Sequence, residues 1–135
     1  MQPAERFART PCNGFLGFVL RSCSPERVEL EMPARAEFGQ EEGVVQGGLL
    51  AALADTAAVY LLLPFLPDDR IMTGTGCAMS FLGAALPGGG PLRAVSSPVR
   101  IGKTMAVCET VITQDARLIA KGTFTFLVRD RRSAP

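Results

Sequence analysis

Residues 43–66, GVVQGGLLAALADTAAVYLLLPFL, decide the fold, because they form an almost unbroken apolar segment. Asp55 is the only charged residue in it. From Gly47 onward the segment consists mainly of Ala and Leu, which favours a helix, and Pro64 predicts its end near Leu63. A helix that is apolar nearly all round must be enclosed by other parts of the protein.

Asp55 is the first candidate for a functional residue. An ionised carboxylate taken out of water without a partner is so unfavourable that buried carboxylates usually have shifted pKa values or serve a functional site. Two structural explanations remain open at this point. The carboxylate could pair with an arginine, or it could accept hydrogen bonds from backbone amides.

Length and composition indicate one soluble globular domain, residues 1–135, with 47% hydrophobic and 20% charged residues. The chain carries 14 basic and 13 acidic residues, so charge gives no reason to expect nucleic acid or an anionic membrane as partner. The apolar run 47–63 is shorter than the roughly 20 residues of a membrane span. We therefore expect a small molecule or another protein as partner, and no membrane.

The absence of histidine excludes several mechanisms. Ser-His and Cys-His nucleophiles and His-ligated metals all require it. The four cysteines are scattered without a CxxC pair, so we expect no metal site, no cofactor and reduced thiols. The N-terminus has no apolar signal core, which predicts a cytoplasmic protein.

The rest of the chain is predicted to contain a short helix at Ala4–Arg9 that Pro11 ends, a polar loop at Ala34–Gly43 and a frayed tail at residues 130–135. Strands are predicted at Gly17–Cys23, Arg27–Met32, Ile71–Leu82, Pro91–Arg100, Lys103–Thr113 and Arg117–Arg129. This order predicts an α+β fold in which a long central helix is wrapped by a curved antiparallel sheet, the arrangement called the hotdog fold.

The segment GVVQGGLLAALADTAA resembles the signature of PaaI-like acyl-CoA thioesterases of the hotdog superfamily. That signature is HGG followed by a helix with Asp or Glu nine positions after the His. Gln46, Gly47, Gly48 and Asp55 occupy these positions. The segments AMSFLGAALPGG and ITQDARLIAKGTFTFLV resemble the family's following strand and its last hairpin. The resemblance implies hydrolysis of an acyl-CoA substrate by a homodimer or a dimer of dimers.

The resemblance also implies roles for individual residues. Asp55 would act as general base or nucleophile, and Gly47 would donate its backbone N–H to the thioester carbonyl. Gln40, three residues before Gly43, would assist at the carbonyl or the water, and Gly48 and Gln46 would border the substrate. A helix N-terminus has unpaired amides and a positive dipole end, which agrees with stabilisation of an oxyanion there.

The chain departs from the family pattern at two places. Gln46 replaces the histidine of HGG, which predicts altered rather than abolished activity. Gly74 lies where many relatives have Ser or Thr, and its neighbours Thr73 and Thr75 are the candidates to supply the hydroxyl.

Two basic residues are candidates for binding the CoA phosphates. These are Arg100 and Lys103, on either side of Ile101 and Gly102. They lie on a hairpin that follows the Gly-rich loop at Pro87–Pro91. Charges beside a hairpin turn are more often simply solvated.

Helix geometry limits how one chain could build the site. Gly47 and Asp55 are eight residues apart, so they lie about 12 Å apart along a helix. An oxyanion donor and a base must both come within about 3 Å of the reacting group. We therefore expect two subunits to share each site, with alanines keeping the helix slim enough for close approach.

Two other functions remain possible. A non-catalytic hotdog protein could bind acyl thioesters as a sensor or carrier partner, and a purely structural oligomer would leave Asp55 unexplained. The acyl group stays open between phenylacetyl-like, medium-chain and other groups. Candidate residues for an apolar or aromatic tail are Tyr60, Leu62, Phe65 and Leu66, whereas Phe81, Phe124 and Phe126 are expected in the core.

Overall fold

The computed structural model describes residues 1–133 and shows an α+β fold. One six-stranded antiparallel sheet has the strand order β1-β2-β4-β5-β6-β3. The strands are β1 (Val19–Cys23), β2 (Val28–Met32), β3 (Arg70–Phe81), β4 (Leu92–Ile101), β5 (Met105–Gln114) and β6 (Arg117–Asp130). The helices are α1 (Pro3–Arg9), α2 (Pro11–Leu16) and the long α3 (Gly47–Leu62).

Helix α3 packs on the inner face of the sheet, mainly against β2, β4 and β5. Its buried residues are Leu50, Leu53, Ala54, Ala57, Ala58, Tyr60, Leu61 and Leu62. The alanines have small side chains, which allows the helix to approach the strands closely. The helix ends where Leu63–Phe65 form a 3-10 turn that contains Pro64.

The strands under α3 alternate between buried and partly exposed side chains, as expected for a sheet with one covered face. Four register shifts interrupt the ladders, among them one at Thr75 in β3 and one at Val99 in β4. Such bulges bend strands and increase their twist, which lets the sheet curve around the helix. The predicted hotdog architecture is confirmed.

Strand β3 forms one edge of the sheet and pairs only with β6 among the described strands. It is 12 residues long, and residues 73–78 are all exposed. An edge strand of this length presents a row of unpaired N–H and C=O groups to any further strand. The opposite edge, β1, is only five residues long.

The sequence missed one helix. Pro11 was expected to end the N-terminal helix, but it begins α2 instead, because proline lacks the N–H that the first helical position leaves unbonded. Gly17 then closes α2 with φ 73°, so the following strand begins at Val19 rather than at Gly17.

Two aromatic predictions were wrong. Phe81, expected in the core with Phe124 and Phe126, is 55% exposed at the end of the edge strand. Tyr60, expected to face a pocket, is buried and packs edge-to-face on Phe7 with ring centroids 5.2 Å apart.

The predicted frayed tail is also partly wrong. Asp130 belongs to β6, and Arg131–Ser133 form a 3-10 turn fixed by a bond from the Arg131 amide to the Asp69 carbonyl. Ala134 and Pro135 lie outside the described residues.

Candidate active site

The N-terminus of α3 offers two free amide groups. Gln46 is the N-cap residue and makes no side-chain capping bond. The first amides of a helix have no acceptor within it, and no other group among residues 1–133 accepts from Gly47 N–H or Gly48 N–H. These two amides are therefore available to a ligand oxygen.

The loop before α3 fixes where the helix starts. Gln46 N–H donates to the Phe38 carbonyl, and Val45 N–H donates to the Ala85 carbonyl. The loop that carries Ala85 is itself held by the buried Gln114, whose carboxamide bonds Leu86 and Gly90. The start of α3 is thus tied through hydrogen bonds to the framework of the sheet.

Phe81 covers the start of α3, which the sequence did not indicate. A Cβ built on Gly47 would lie 3.2 and 3.3 Å from two carbons of the Phe81 ring. A Cβ on Gly48 would meet only Gln46 Nε2, at 4.0 Å. Gly47 is therefore the glycine that the packing requires, and Phe81 borders the candidate oxyanion site.

Asp55 lies on the face of α3 that points away from the sheet. The sequence suggested a buried carboxylate, but within a single chain this residue is exposed. Among residues 1–133 it has no ion pair and no hydrogen-bond partner for its side chain, which removes both structural explanations within the described chain. Partial burial nevertheless raises the pKa of the Asp55 carboxyl above its usual value.

The stripe of α3 around Asp55 is small and uncharged, and we call it the open stripe. It is formed by Gly48, Ala51, Ala52, Asp55, Thr56, Val59 and Leu63, which are exposed or only half-buried. These residues follow the three- and four-residue spacing of one helix face. Asp55 is therefore the single charge on a helix face that the described chain covers only in part.

A buried hydroxyl pair fixes α3 next to Asp55. Thr110 Oγ1 donates to the Ala54 carbonyl at 3.2 Å and lies 3.1 Å from Ser96 Oγ. Both hydroxyl residues are fully buried under the helix. Because few other polar contacts join the helix to the sheet, this bond sets the position of the turn that carries Asp55. The only signal in the sequence for this buried hydroxyl pair was the presence of alternating polar residues in β4 and β5.

Gln40 and Gln46 are both exposed near the start of α3. The Gln40 side-chain oxygen accepts the amide of Glu42, closing a turn in which Gly43 has φ 76°. Its amide nitrogen has no partner among residues 1–133. Gln46 makes no side-chain hydrogen bond, and its amide lies beside the first turn.

The threonines of β3 occupy different positions. Thr73 pairs across from the outward-facing Leu127, so it lies on the face of the sheet opposite to α3. Thr75 is the bulged residue, and its hydroxyl donates to the Thr125 carbonyl at 3.3 Å. Gly74 pairs with Phe126 on the inner face. The structure does not bring either threonine hydroxyl to Asp55 of the same chain.

Arg100 and Lys103 are exposed at the β4–β5 hairpin, and neither side chain has an ion-pair partner in the described chain. Arg100 pairs across from Val107 on the outer face of the sheet. They are distant in sequence and position from the start of α3, so one chain does not join them to the free amides.

No group of three or more Cys, Asp or Glu side chains among residues 1–133 could hold a metal ion. The four cysteines are free thiols. One segment, Gly47–Phe65, is long and apolar enough to cross a membrane, but a core helix passes the same test, and this helix packs on the sheet.

Within one chain, the free amides and the carboxylate cannot meet on one reacting group. They are separated by eight residues of continuous helix, or about 12 Å. The candidate site therefore has two halves, one at the start of α3 and one in its middle.

The fold and this helix define a hotdog protein. Residues 42–120 match the family model of the thioesterase superfamily, and this segment covers more than half of the chain. The chain belongs to the thioesterase superfamily. No curated protein matches it in sequence.

Solved structures agree with this assignment. A putative thioesterase from Ralstonia eutropha, described as phenylacetic acid degradation-related, is 26% identical, with a TM-score of 0.84 over 94% of this chain and 99% of that chain. A thioesterase family protein from Silicibacter pomeroyi is 25% identical, with a TM-score of 0.85 over 95% and 96%. A Haemophilus influenzae thioesterase is 21% identical and shows the same fold, with a TM-score of 0.83 over 93% and 87%. The chain is thus a member of the thioesterase superfamily with the hotdog fold.

We predict that Gly47→Ala destabilises the protein by about 1 kcal/mol, because its Cβ forces the Phe81 ring to move. The matched control Gly48→Ala should be neutral or stabilising, since its Cβ meets no close atom and Ala favours the helix. Urea denaturation measures both changes. In a Phe81→Ala background the cost of Gly47→Ala should disappear; an equal cost in both backgrounds would show that the contact is not its cause.

Proposed function

We propose that the protein hydrolyses acyl-CoA thioesters at a site formed jointly by two subunits. The observation that carries this proposal is the position of Asp55. It is an exposed, unpartnered carboxylate on an otherwise uncharged helix face, about 12 Å from the free amides at the start of the same helix. A second subunit supplies the missing half.

The chemistry follows from these two groups. Asp55 takes a proton from water, which attacks the thioester carbonyl, or it attacks that carbon itself and the resulting anhydride is hydrolysed. Gly47 N–H stabilises the oxyanion that develops on the carbonyl oxygen. On the first route the oxyanion collapses, the carbon–sulfur bond breaks, and the proton held by Asp55 passes to the sulfur, which releases the free acid and the CoA thiol. On the second route the same bond breaks when the anhydride forms, and water then releases the acid. Gln40 and Gln46 lie close to the start of α3, where they can contact the carbonyl or the water.

The edge strand suggests how the subunits join. Pairing of β3 with its symmetry mate around a two-fold axis would satisfy the exposed N–H and C=O groups. It would also bring two open stripes together on the inner side of a continuous sheet. Gly47 of one subunit would then approach Asp55 of the other, and the carboxylate would lose most of its remaining water.

The β4–β5 hairpin carries Arg100 and Lys103 and favours a thioester of CoA, because CoA has phosphate groups. Arg100 and Lys103 are unpaired cations, as phosphate recognition requires. The main competing function is binding of a thioester without hydrolysis. Release of the thiol distinguishes the two: a panel of acyl-CoA esters with no thiol release but with stabilisation of the fold would favour the binding protein.

We predict that Asp55→Asn lowers kcat by about 100-fold or more, as expected for loss of a general base. Its matched control is Asp115→Asn in the β5–β6 turn, where φ is 49° and Asn is equally suited. The wild-type kcat/KM should fall as the pH drops through the pKa of Asp55, and this midpoint should lie above the ordinary aspartate value because partial burial raises it.

Stability gives an independent check on this role. A raised pKa means that the folded state binds the Asp55 proton more tightly, so the residue stabilises the fold at low pH and this contribution is lost as pH rises through that pKa. Asp55→Asn should therefore keep or raise the melting temperature at neutral pH. Near wild-type turnover in this variant would rule out the proposed role.

A mixing experiment tests the shared site. Asp55→Asn chains and Gly47→Val chains should each be inactive, whereas an equal mixture should recover about a quarter of wild-type activity, since half of the dimers are mixed and each holds one intact site of two. Mass spectrometry must show that mixed dimers form, and the Gly47→Val chains must remain folded. Mixed dimers without recovered activity would place each site within one subunit.

CoA recognition is tested by thermal stability. A ligand that binds the folded protein raises its melting temperature, so CoA should do so, and added salt should weaken the effect if phosphates are contacted. Lys103→Ala should reduce the shift, whereas Lys121→Ala, which removes an exposed lysine paired with Glu109, should not. Equal shifts in both variants would exclude Lys103 from the phosphate site.

A further inference from the structure

A cavity of about 140 Å³ lies at the C-terminal end of α3, and we call it the tail cavity. Among its lining residues are Leu61, Leu62, Phe65, Leu66, Ile101 and Val128. Every lining residue is apolar or glycine. A neighbouring cavity of about 280 Å³ is lined by Arg6, Asp68, Arg70 and Arg131, so it is suited to polar groups instead.

The tail cavity lies on the same side of α3 as Asp55. Leu62 follows Asp55 by seven residues, which is almost two full turns, so both point to one helix face. Val59, four residues after Asp55, belongs to the open stripe and lies between them. Asp55, Val59 and Leu62 therefore form a row along the helix, and the two residues that follow the carboxylate in this row are apolar.

The dimensions decide which acyl group fits. Asp55 and Leu62 are about 10.5 Å apart along the helix. An extended chain advances about 1.2 Å per bond, so eight to nine bonds cover this distance. An apolar cavity of roughly 150 Å³ holds a molecule of the size of benzene, so the tail cavity is large enough for the last carbons of a chain that reaches Leu62. A phenylacetyl ring, attached close to the carbonyl, is too short to reach it.

We propose that the tail cavity binds the end of an unbranched acyl chain and that the preferred substrate carries about eight to ten carbons. This inference rests on the proposed thioester hydrolysis. It makes Ile101 a specificity-determining residue. With the tail beside Ile101, the phosphates of the same substrate lie on the far side of Asp55, so only the hairpin of the other subunit can contact them.

The test is kcat/KM for acyl-CoA esters from acetyl to palmitoyl, together with phenylacetyl-CoA. From butanoyl to octanoyl, kcat/KM should rise by roughly three- to fourfold for each methylene, or about 100-fold in total. It should level off or fall beyond decanoyl, because a longer chain extends past Leu62. An optimum at acetyl, butanoyl or phenylacetyl would overturn the inference while leaving thioester hydrolysis established.

Two variants of Ile101 test whether the tail cavity causes the dependence of kcat/KM on chain length. Ile101 is 54% exposed, so replacing it does not disturb the core. Ile101→Phe should lower kcat/KM at least tenfold for decanoyl-CoA and less than twofold for butanoyl-CoA, and Ile101→Ala should move the optimum to longer chains. Val99→Phe is the matched control on the same strand, because Val99 is 59% exposed and does not line the cavity.

A binding measurement separates this inference from the catalytic one. In the Asp55→Asn protein, octanoyl-CoA should raise the melting temperature more than acetyl-CoA, and Ile101→Phe should remove that difference. This readout does not require hydrolysis. An unchanged difference in Ile101→Phe, or the same loss in Val99→Phe, would overturn the assignment of the cavity.

Discussion

The packing of α3 on the inner face of the sheet is the constraint on which the rest of the structure depends. Small residues such as Ala54, Ala57 and Ala58 let the helix lie close to β4 and β5, and all three are fully buried. The bond from Thr110 to the Ala54 carbonyl fixes the rotation of the helix about its axis. Once that rotation is fixed, the side of the helix that carries Asp55 must point away from the sheet.

The direction in which the Asp55 side chain points is consequently set by packing contacts of other residues of α3. The buried alanines determine its direction, and the absence of a neighbouring cation leaves its charge uncompensated within the described chain. A paired carboxylate would be more stable but a weaker base, because an ion pair lowers the pKa that partial desolvation raises here. A partner that stabilised the fold by pairing with Asp55 would therefore also lower the basicity that the reaction needs.

Much of the framework could be predicted from the sequence because its signals are local. The Ala- and Leu-rich run predicts α3, and alternation predicts the strands. The Gly-Gly start and Asp55 indicate the two halves of the candidate site. Exposure could not be predicted in the same way. The composition of α3 shows that nearly all of its faces are apolar, so burial is favoured on every side. Composition does not show whether the sheet of the same chain or a second chain covers a given face.

Other local features that the sequence did not indicate have similar causes. Phe81 looked like a core residue because its strand resembles its neighbours, yet that strand is at the sheet edge. The side on which Thr73 lies depends on the bulge at Thr75, since one extra residue reverses the alternation of a strand. Pro11 marked a helix boundary correctly, but the boundary was a beginning rather than an end.

The tail cavity is built partly from α3 and two strands and partly from connections. Its walls include the β1–β2 turn at Pro25, the segment after α3 and the hairpin at Gly102. Loops accept insertions and substitutions more readily than paired strands do. Related chains can therefore diverge in the molecules they accept by changing these short connections, while the helix that carries the carboxylate and the strands beneath it stay the same.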